Sequence, residues 1–369
     1  MSTASAFFAQ SYAEARQKFL AAVEAAGLDA EPHWHPLLGR DGERLAMDVV
    51  VEGDPKAKRL LILSSACHGV EGFCGSGVQT ALLSDPGWHA AVRASGVAVL
   101  YIHALNPHGF SWWRRVTQEG VDLNRNFLDF AHHQALPHNA GYDEIAGALV
   151  PHNWPPSAAD EAVLAAYAAR HGERALQTAI TGGQYAHELG LFYGGHAPTW
   201  SNQTLRHVLE EHGRHAQAIA WIDLHTGLGP TGHGERIFAC KDDARALARA
   251  RAWWGPEVTS IYDGSSSSAL LQGLMWNAIF DACPQADYTG IALEYGTLPL
   301  GQMIEALRAD HWLEAHPEAP AEQAAQIKRQ IRDAFYVDTE DWKRQILDQA
   351  FEAARQALAG LSSSFSSTP

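Results

Sequence analysis

Leu60-Leu61-Ile62-Leu63-Ser64-Ser65-Ala66-Cys67-His68-Gly69-Val70-Glu71-Gly72 is the stretch whose reading decides the fold. Four apolar residues in a row predict a buried strand, and the small residues after them predict a turn that delivers His68 and Glu71 together. An imidazole and a carboxylate at this spacing can close on one zinc ion, provided a third ligand arrives from elsewhere. His225 is the best candidate for that third ligand. It ends a second apolar run, Ile219-Ala220-Trp221-Ile222-Asp223-Leu224, and is followed by Thr226 and Gly227.

Spacing alone proves little in a chain with 20 histidines, and His207/Glu210 and His311/Glu314 repeat the pattern. Those two lie in stretches with amphipathic helical periodicity, where a solvated helix face is the expectation. Only His68 follows a buried strand and precedes glycine, the context in which α/β sheets place their ligands.

Working outward, Leu45–Val51, Val97–His103, Glu235–Ala239 and Ile291–Tyr295 read as further strands, and Phe7–Ala26 and Phe73–Leu83 as helices. The pattern predicts one α/β domain over residues 1–361, a twisted mixed β-sheet flanked by helices on both faces. Between about 128 and 218 no sheet is evident. Helices are expected there near Ala158–Arg170, Glu173–Ile180 and Thr204–His212, beside the glycine-rich Gly190-Leu191-Phe192-Tyr193-Gly194-Gly195. An insertion of this size is either a wall over a site or a packed appendage away from it. Residues 362–369, rich in serine, read as a disordered tail.

The 369 residues carry a formal net charge of -15, which argues against nucleic acid or an anionic membrane as partner. Cys67, Cys74, Cys240 and Cys283 are scattered and form no Cys-x-x-Cys, as suits a reducing compartment. Met1–Phe19 shows no basic start followed by a long apolar core, and no apolar run reaches the ~18 residues of a membrane span. A cytoplasmic protein is the expectation; the sequence leaves its oligomeric state open.

Asn106-Pro107-His108-Gly109-Phe110, Trp113-Arg114 and Val121-Asp122-Leu123-Asn124-Arg125-Asn126-Phe127 follow His68-Gly69-Val70-Glu71 and precede His225 and Glu294. In this order they resemble the zinc metallocarboxypeptidase superfamily, and within it a bacterial branch known as a domain of unknown function, in which Gly-Leu-Phe-Tyr-Gly-Gly recurs. The resemblance covers about Leu60 to Tyr295. It implies a zinc-carboxypeptidase-like fold with one Zn2+ per chain held by His68, Glu71 and His225. Asp122 would orient a ligating histidine, and Glu294 would be the general base. Arg114 would stabilise the oxyanion, Asn124 and Arg125 would hold a substrate carboxylate, and Tyr262 would cap the substrate.

The chemistry is coherent apart from the family. Zinc with an open position lowers the pKa of a water to about 7. A carboxylate at the end of a buried run is costly unless paired or functional, and a guanidinium fork matches a carboxylate bidentately. Near Tyr262 the four serines Ser265 to Ser268 offer no acid beyond Asp263 to attract a basic side chain. The expected substrate is a short carboxylate-bearing peptide or an N-acyl amino acid. An aspartoacylase-like deacylase is the alternative enzyme, and a non-catalytic binding protein the alternative class.

Overall fold

The computed structural model describes residues 3–131 and 136–363. Its centre is a seven-stranded sheet: β1 (Ala30–Leu38), β2 (Arg44–Glu52), β3 (Arg59–Ser65), β4 (Ala98–His103), β5 (Ala218–Gly227), β6 (Gly234–Phe238) and β7 (Asp287–Gly296), in the order β1-β2-β4-β3-β5-β7-β6. The four middle strands are mutually parallel, while β1, β2 and β6 run antiparallel to their neighbours. Every residue of β4 and β5 is buried, so both faces of the sheet are covered. The sheet is mixed and helix-flanked, as the sequence predicts.

After β3 the chain crosses to β4 on one side, and the later strand β5 pairs with β3 on the other. The crevice between β3 and β5 is therefore a topological switch point, where α/β sheets bind ligands beyond the carboxyl ends of their strands. His68 follows β3 and His225 lies near the end of β5.

The Gly72–Leu83 helix is buried along its whole length and packs on β3 and β5. Its glycines permit the approach: a Cβ on Gly75 would lie 2.6 Å from Ser65 Cβ. The long Glu340–Ser363 helix packs against it and the sheet.

Three expectations need correction. The Phe7–Ala26 helix is split into a short 3-10 turn, Ala4–Phe7, and a helix, Tyr12–Ala25, because the Ser11 side chain caps the Glu14 N–H and starts the helix there. Strand β1 is absent from the sequence reading; Pro32 and Pro36 within it suit only an edge strand. Ser362 and Ser363 close the last helix, and the rest of the expected tail, 364–369, lies outside the described residues. No described helix is long and apolar enough to cross a membrane.

Candidate metal centre and cleft

Beyond Ser65 the backbone leaves the sheet through Ala66, whose φ of 59° is the left-handed conformation, and closes a short 3-10 turn over Gly69–Glu71. Two hydrogen bonds pin that turn from outside: Gly69 N–H donates to the Arg115 carbonyl (3.1 Å) and Val70 N–H to that of Arg114 (2.8 Å). Gly69 is required by this contact, since a Cβ there would sit 2.1 Å from the Gly109 carbonyl carbon. The turn carries His68 and Glu71 to the end of β5. His68 Nδ1 lies 2.9 Å from Glu71 Oε1, His225 Nδ1 lies 3.0 Å from Glu71 Oε2, and the two Nδ1 atoms are 3.3 Å apart.

Three nearly buried groups thus converge their donor atoms on one point, and their outer atoms are braced. Asp223 Oδ2 lies 2.5 Å from His225 Nε2, and Asp122 Oδ1 lies 3.2 Å from His68 Nε2. At His225 the Asp223 carboxylate fixes the tautomer that leaves Nδ1 free for a metal, whereas His68 Nε2 is shared between Asp122 and a guanidinium. The two imidazoles, the carboxylate and the braces form a donor set that fits zinc. Burial would raise the Glu71 carboxyl, but His68 and His225 hold it below the usual carboxylate range. Cys67, Asp223 and His225 also cluster. Burial and the surrounding carboxylates push the Cys67 thiol well up, however, which disfavours the thiolate a metal needs.

Arg115 crosses this centre. Its Nε donates to Asp122 (2.9 Å) and its Nη1 to Glu71 (3.1 Å), while Nη2 lies 2.7 Å from His68 Nε2. Arg114 does not face the centre: it is buried against Asp310 (3.1 Å) and Glu314 (3.2 Å). This departs from the role implied for Arg114. Arg115 rather than Arg114 lines the cleft, just after Trp113 in its left-handed conformation (φ 54°).

Glu294 of β7 is the register partner of His225 on β5, which sets the two side by side. Its Oε1 accepts the Leu228 N–H at 2.8 Å. Burial and the nearby Glu71 carboxylate push its carboxyl up to about 7, against the pull of His225. Residues of both strands continue this face as a cleft lined by Trp221, Tyr288, Ile261, Leu274 and Trp276 among others. Apart from the groups at its polar end, that wall is mainly apolar, with Gln177, Thr181 and Ser268 as its other polar members.

Asn124 and Arg125 also line the cleft. Arg125 is 2% exposed, and its Nη1 and Nη2 donate to the carbonyls of Asn124 (2.8 Å) and Thr181 (2.7 Å). Its buried Nε has no partner, and it forms no ion pair among the described residues. Burial, together with Arg115, depresses this guanidinium despite Asp122.

Tyr262 is not at the cleft: its hydroxyl donates to the Cys240 carbonyl (3.0 Å), and its neighbour Ile261 faces inward instead. Neither of the other His-x-x-Glu pairs closes. His311 Nδ1 lies 3.1 Å from the Leu189 carbonyl, and His207 pairs with Glu211. The segment after Phe127 supplies a wall, since Gln177, Thr181 and Phe192 line the cleft. Phe192, at φ 55°, lies beneath both Arg115 and Arg125, 5.1 Å and 5.6 Å from ring centre to guanidinium. The reading from sequence missed Arg115, Asp223 and Phe192. Only Asp223 carried a signal, a carboxylate inside an apolar strand two residues before a histidine.

No curated protein matches the sequence. In three dimensions the chain is similar to the carboxypeptidase A of Helicoverpa armigera, with a TM-score of 0.53 at 11% identity over 96% of this chain and 74% of that one. It is also similar to bovine thrombin-activatable fibrinolysis inhibitor, solved with a tick carboxypeptidase inhibitor: TM-score 0.50, 13% identity, 95% of this chain and 97% of that one. At such identities the likeness is one of fold, and the fold is carboxypeptidase-like. The family described as "Protein of unknown function (DUF2817)" matches residues 8–349, nearly the whole sequence, and the chain belongs to it.

Proposed function

We propose that the protein is a zinc-dependent hydrolase that cleaves an amide bond next to a free carboxylate in a short peptide or N-acyl amino acid. The observation that carries this reading is the meeting, at one end of an apolar cleft, of a braced His68–Glu71–His225 donor set with Glu294 and with a buried arginine that lacks an anion.

A cation held by His68, Glu71 and His225 would supply Lewis acidity and draw the pKa of a water down to about 7. Glu294 takes the proton of the attacking water and returns it to the departing nitrogen, a role suited to a carboxyl near 7. Asp122 and Asp223 keep the two imidazoles in register. Arg115 is the guanidinium available to charge developing on the carbonyl oxygen. Asn124 and Arg125 receive the substrate carboxylate, which would satisfy the orphaned Arg125 Nε; a buried donor without a partner is otherwise costly.

The apolar wall favours a large apolar side chain beside that carboxylate over the aspartate of an aspartoacylase-like substrate. The test is a two-by-two comparison of wild type and Arg125→Lys on an acyl dipeptide ending in phenylalanine and on its C-terminal amide. Lysine keeps the charge and loses the fork. Amidation should harm the wild type far more than the variant; equal harm to both would remove the carboxylate from the reading. N-acetylaspartate turned over better than the dipeptide would favour the deacylase.

A further inference from the structure

We infer that the acyl side of the cleft takes an aliphatic chain, so that the substrate is an N-acyl amino acid with a long apolar acyl group rather than a peptide. This deepens, and rests on, the hydrolase reading of the centre.

The register of β5 and β7 divides the cleft in two. Trp221 pairs with Gly290, His225 with Glu294 and Gly227 with Gly296. At about 3.3 Å per residue, the Trp221 row lies roughly 13 Å before the His225–Glu294 row, and the Gly227 row roughly 7 Å beyond it. Asn124 is tied to the Trp221 side: its Oδ1 accepts the Met275 N–H at 2.8 Å, and Trp276 reaches Tyr288 through Phe280, edge to face at each step. The carboxylate and its neighbouring side chain belong there, which leaves the Gly227 side to the acyl group.

A second apolar wall begins on that side, at the base itself. A Cβ on Gly227 would meet Met303 Sδ at 3.2 Å, and both Glu294 Oε1 and Phe335 Cε1 at 3.3 Å. From Met303 the wall continues along the Leu300–Ala315 helix, where Leu300, Met303, Ile304 and Leu307 all line the cleft. The spacing i, i+3, i+4, i+7 puts the four on one stripe, about 10 Å long at 1.5 Å per residue. Its outer end is open, for Leu300 is 36% exposed.

A peptide would bring an N–H and a C=O for every residue, and each would need a partner. This side has few to offer. Among the described residues that line it beyond the metal centre, Thr226 has the one polar side chain, and its hydroxyl donates to the Phe335 carbonyl at 2.7 Å. The Leu228 N–H is held by Glu294 at 2.8 Å, and the Gly227 carbonyl accepts the Thr297 N–H at 3.2 Å. Methylenes need no partner, and the unbranched Met303 side chain can adapt to their path. Water then breaks the amide C–N bond, its hydroxyl going to the acyl carbon and its proton to the nitrogen, and releases an aliphatic acid and a free amino acid.

The probes are N-acetyl-, N-hexanoyl- and N-octanoyl-L-phenylalanine, with acetyl-Gly-Gly-Phe as a peptide of similar reach. Calorimetry reads their binding to zinc-loaded Glu294→Gln protein, and turnover by the wild type is read in parallel. Affinity should rise along the series by roughly fourfold per methylene, the full value of burying one CH2, and the octanoyl compound should bind more tightly than the peptide. Ile304→Ser should lower that slope, and Leu300→Ser should flatten its last step, from hexanoyl to octanoyl; both residues are partly exposed, so the fold tolerates the change. Equal affinity across the series, or tighter binding of acetyl-Gly-Gly-Phe, overturns the inference. The two readings fail separately: chain-length-dependent binding without turnover of any probe keeps the acyl wall and removes the hydrolase, whereas turnover of the peptide with no dependence on chain length does the reverse.

Discussion

Arg114 and Arg115 show how much turns on a single side chain's direction. Both are cations after a tryptophan, and nothing in the sequence gives the phase of the backbone there. In the structure one goes to Asp310 and the other to the candidate metal centre. Arg114→Met should therefore cost about 3 kcal/mol of stability, the low end for breaking a buried pair, since Lys328 still holds Asp310 at 2.7 Å. Its kcat/KM should stay near wild type, whereas Arg115→Met should lose kcat/KM with the fold intact; urea melts beside kinetics separate the two. Glu294→Gln should bind zinc normally and lose about 10²- to 10⁴-fold in kcat. Wild-type turnover in that metal-loaded variant would put the base elsewhere. His225 and Glu294 were legible because each lies at the end of an apolar strand run, and His68 and Glu71 because they sit in the small-residue turn that follows one. Tyr262 was not, since its loop carries no periodicity to say that Ile261 would face the cleft.

At the scale of elements, the walls of the cleft come from pieces the sequence describes unevenly. Strands β3, β5 and β7 announce themselves as continuous apolar runs because they are buried on both faces. Strand β1 does not: half-exposed on an edge, it mixes proline, histidine and tryptophan, and its signal is tertiary. Sequence left the 128–218 segment open between wall and appendage, because the contact that matters runs through backbone. Gly183, at φ 98°, leaves no room for a side chain, as its Cβ would lie 2.7 Å from Arg125 Cδ. Gly183→Ala should displace Arg125 and raise KM for a free-acid substrate several-fold with little change for its amide. Equal effects on acid and amide would mean that this segment merely packs.

For the whole molecule, acid stability follows from a histidine that the fold keeps neutral. His103 ends β4 with no exposed surface, stacks on Phe19, and reaches Ser76 Oγ through Nε2 at 2.9 Å. Burial, with a smaller push from Arg16, holds it down at about 4 against the attraction of Asp48, compared with 6.5 in the unfolded chain. Its folded pKa is depressed, so its contribution is fully present above 6.5 and is lost as pH falls toward 4, by about 3 kcal/mol. Urea midpoints across that range should fall, and His103→Gln should flatten part of the slope. A midpoint independent of pH in both proteins would refute the neutral histidine.

The same whole-molecule view makes the metal centre depend on the sheet's switch point, where three separate stretches of sequence must meet. The most direct test is diffraction from zinc-loaded crystals on both sides of the zinc absorption edge. The expected result is an anomalous peak in the cleft bonded to His68 Nδ1, His225 Nδ1 and the Glu71 carboxylate, with Zn–N near 2.0–2.1 Å and Glu294 beside it unbound. A peak on Cys67, Asp223 and His225, or no peak in the cleft at all, would contradict the account.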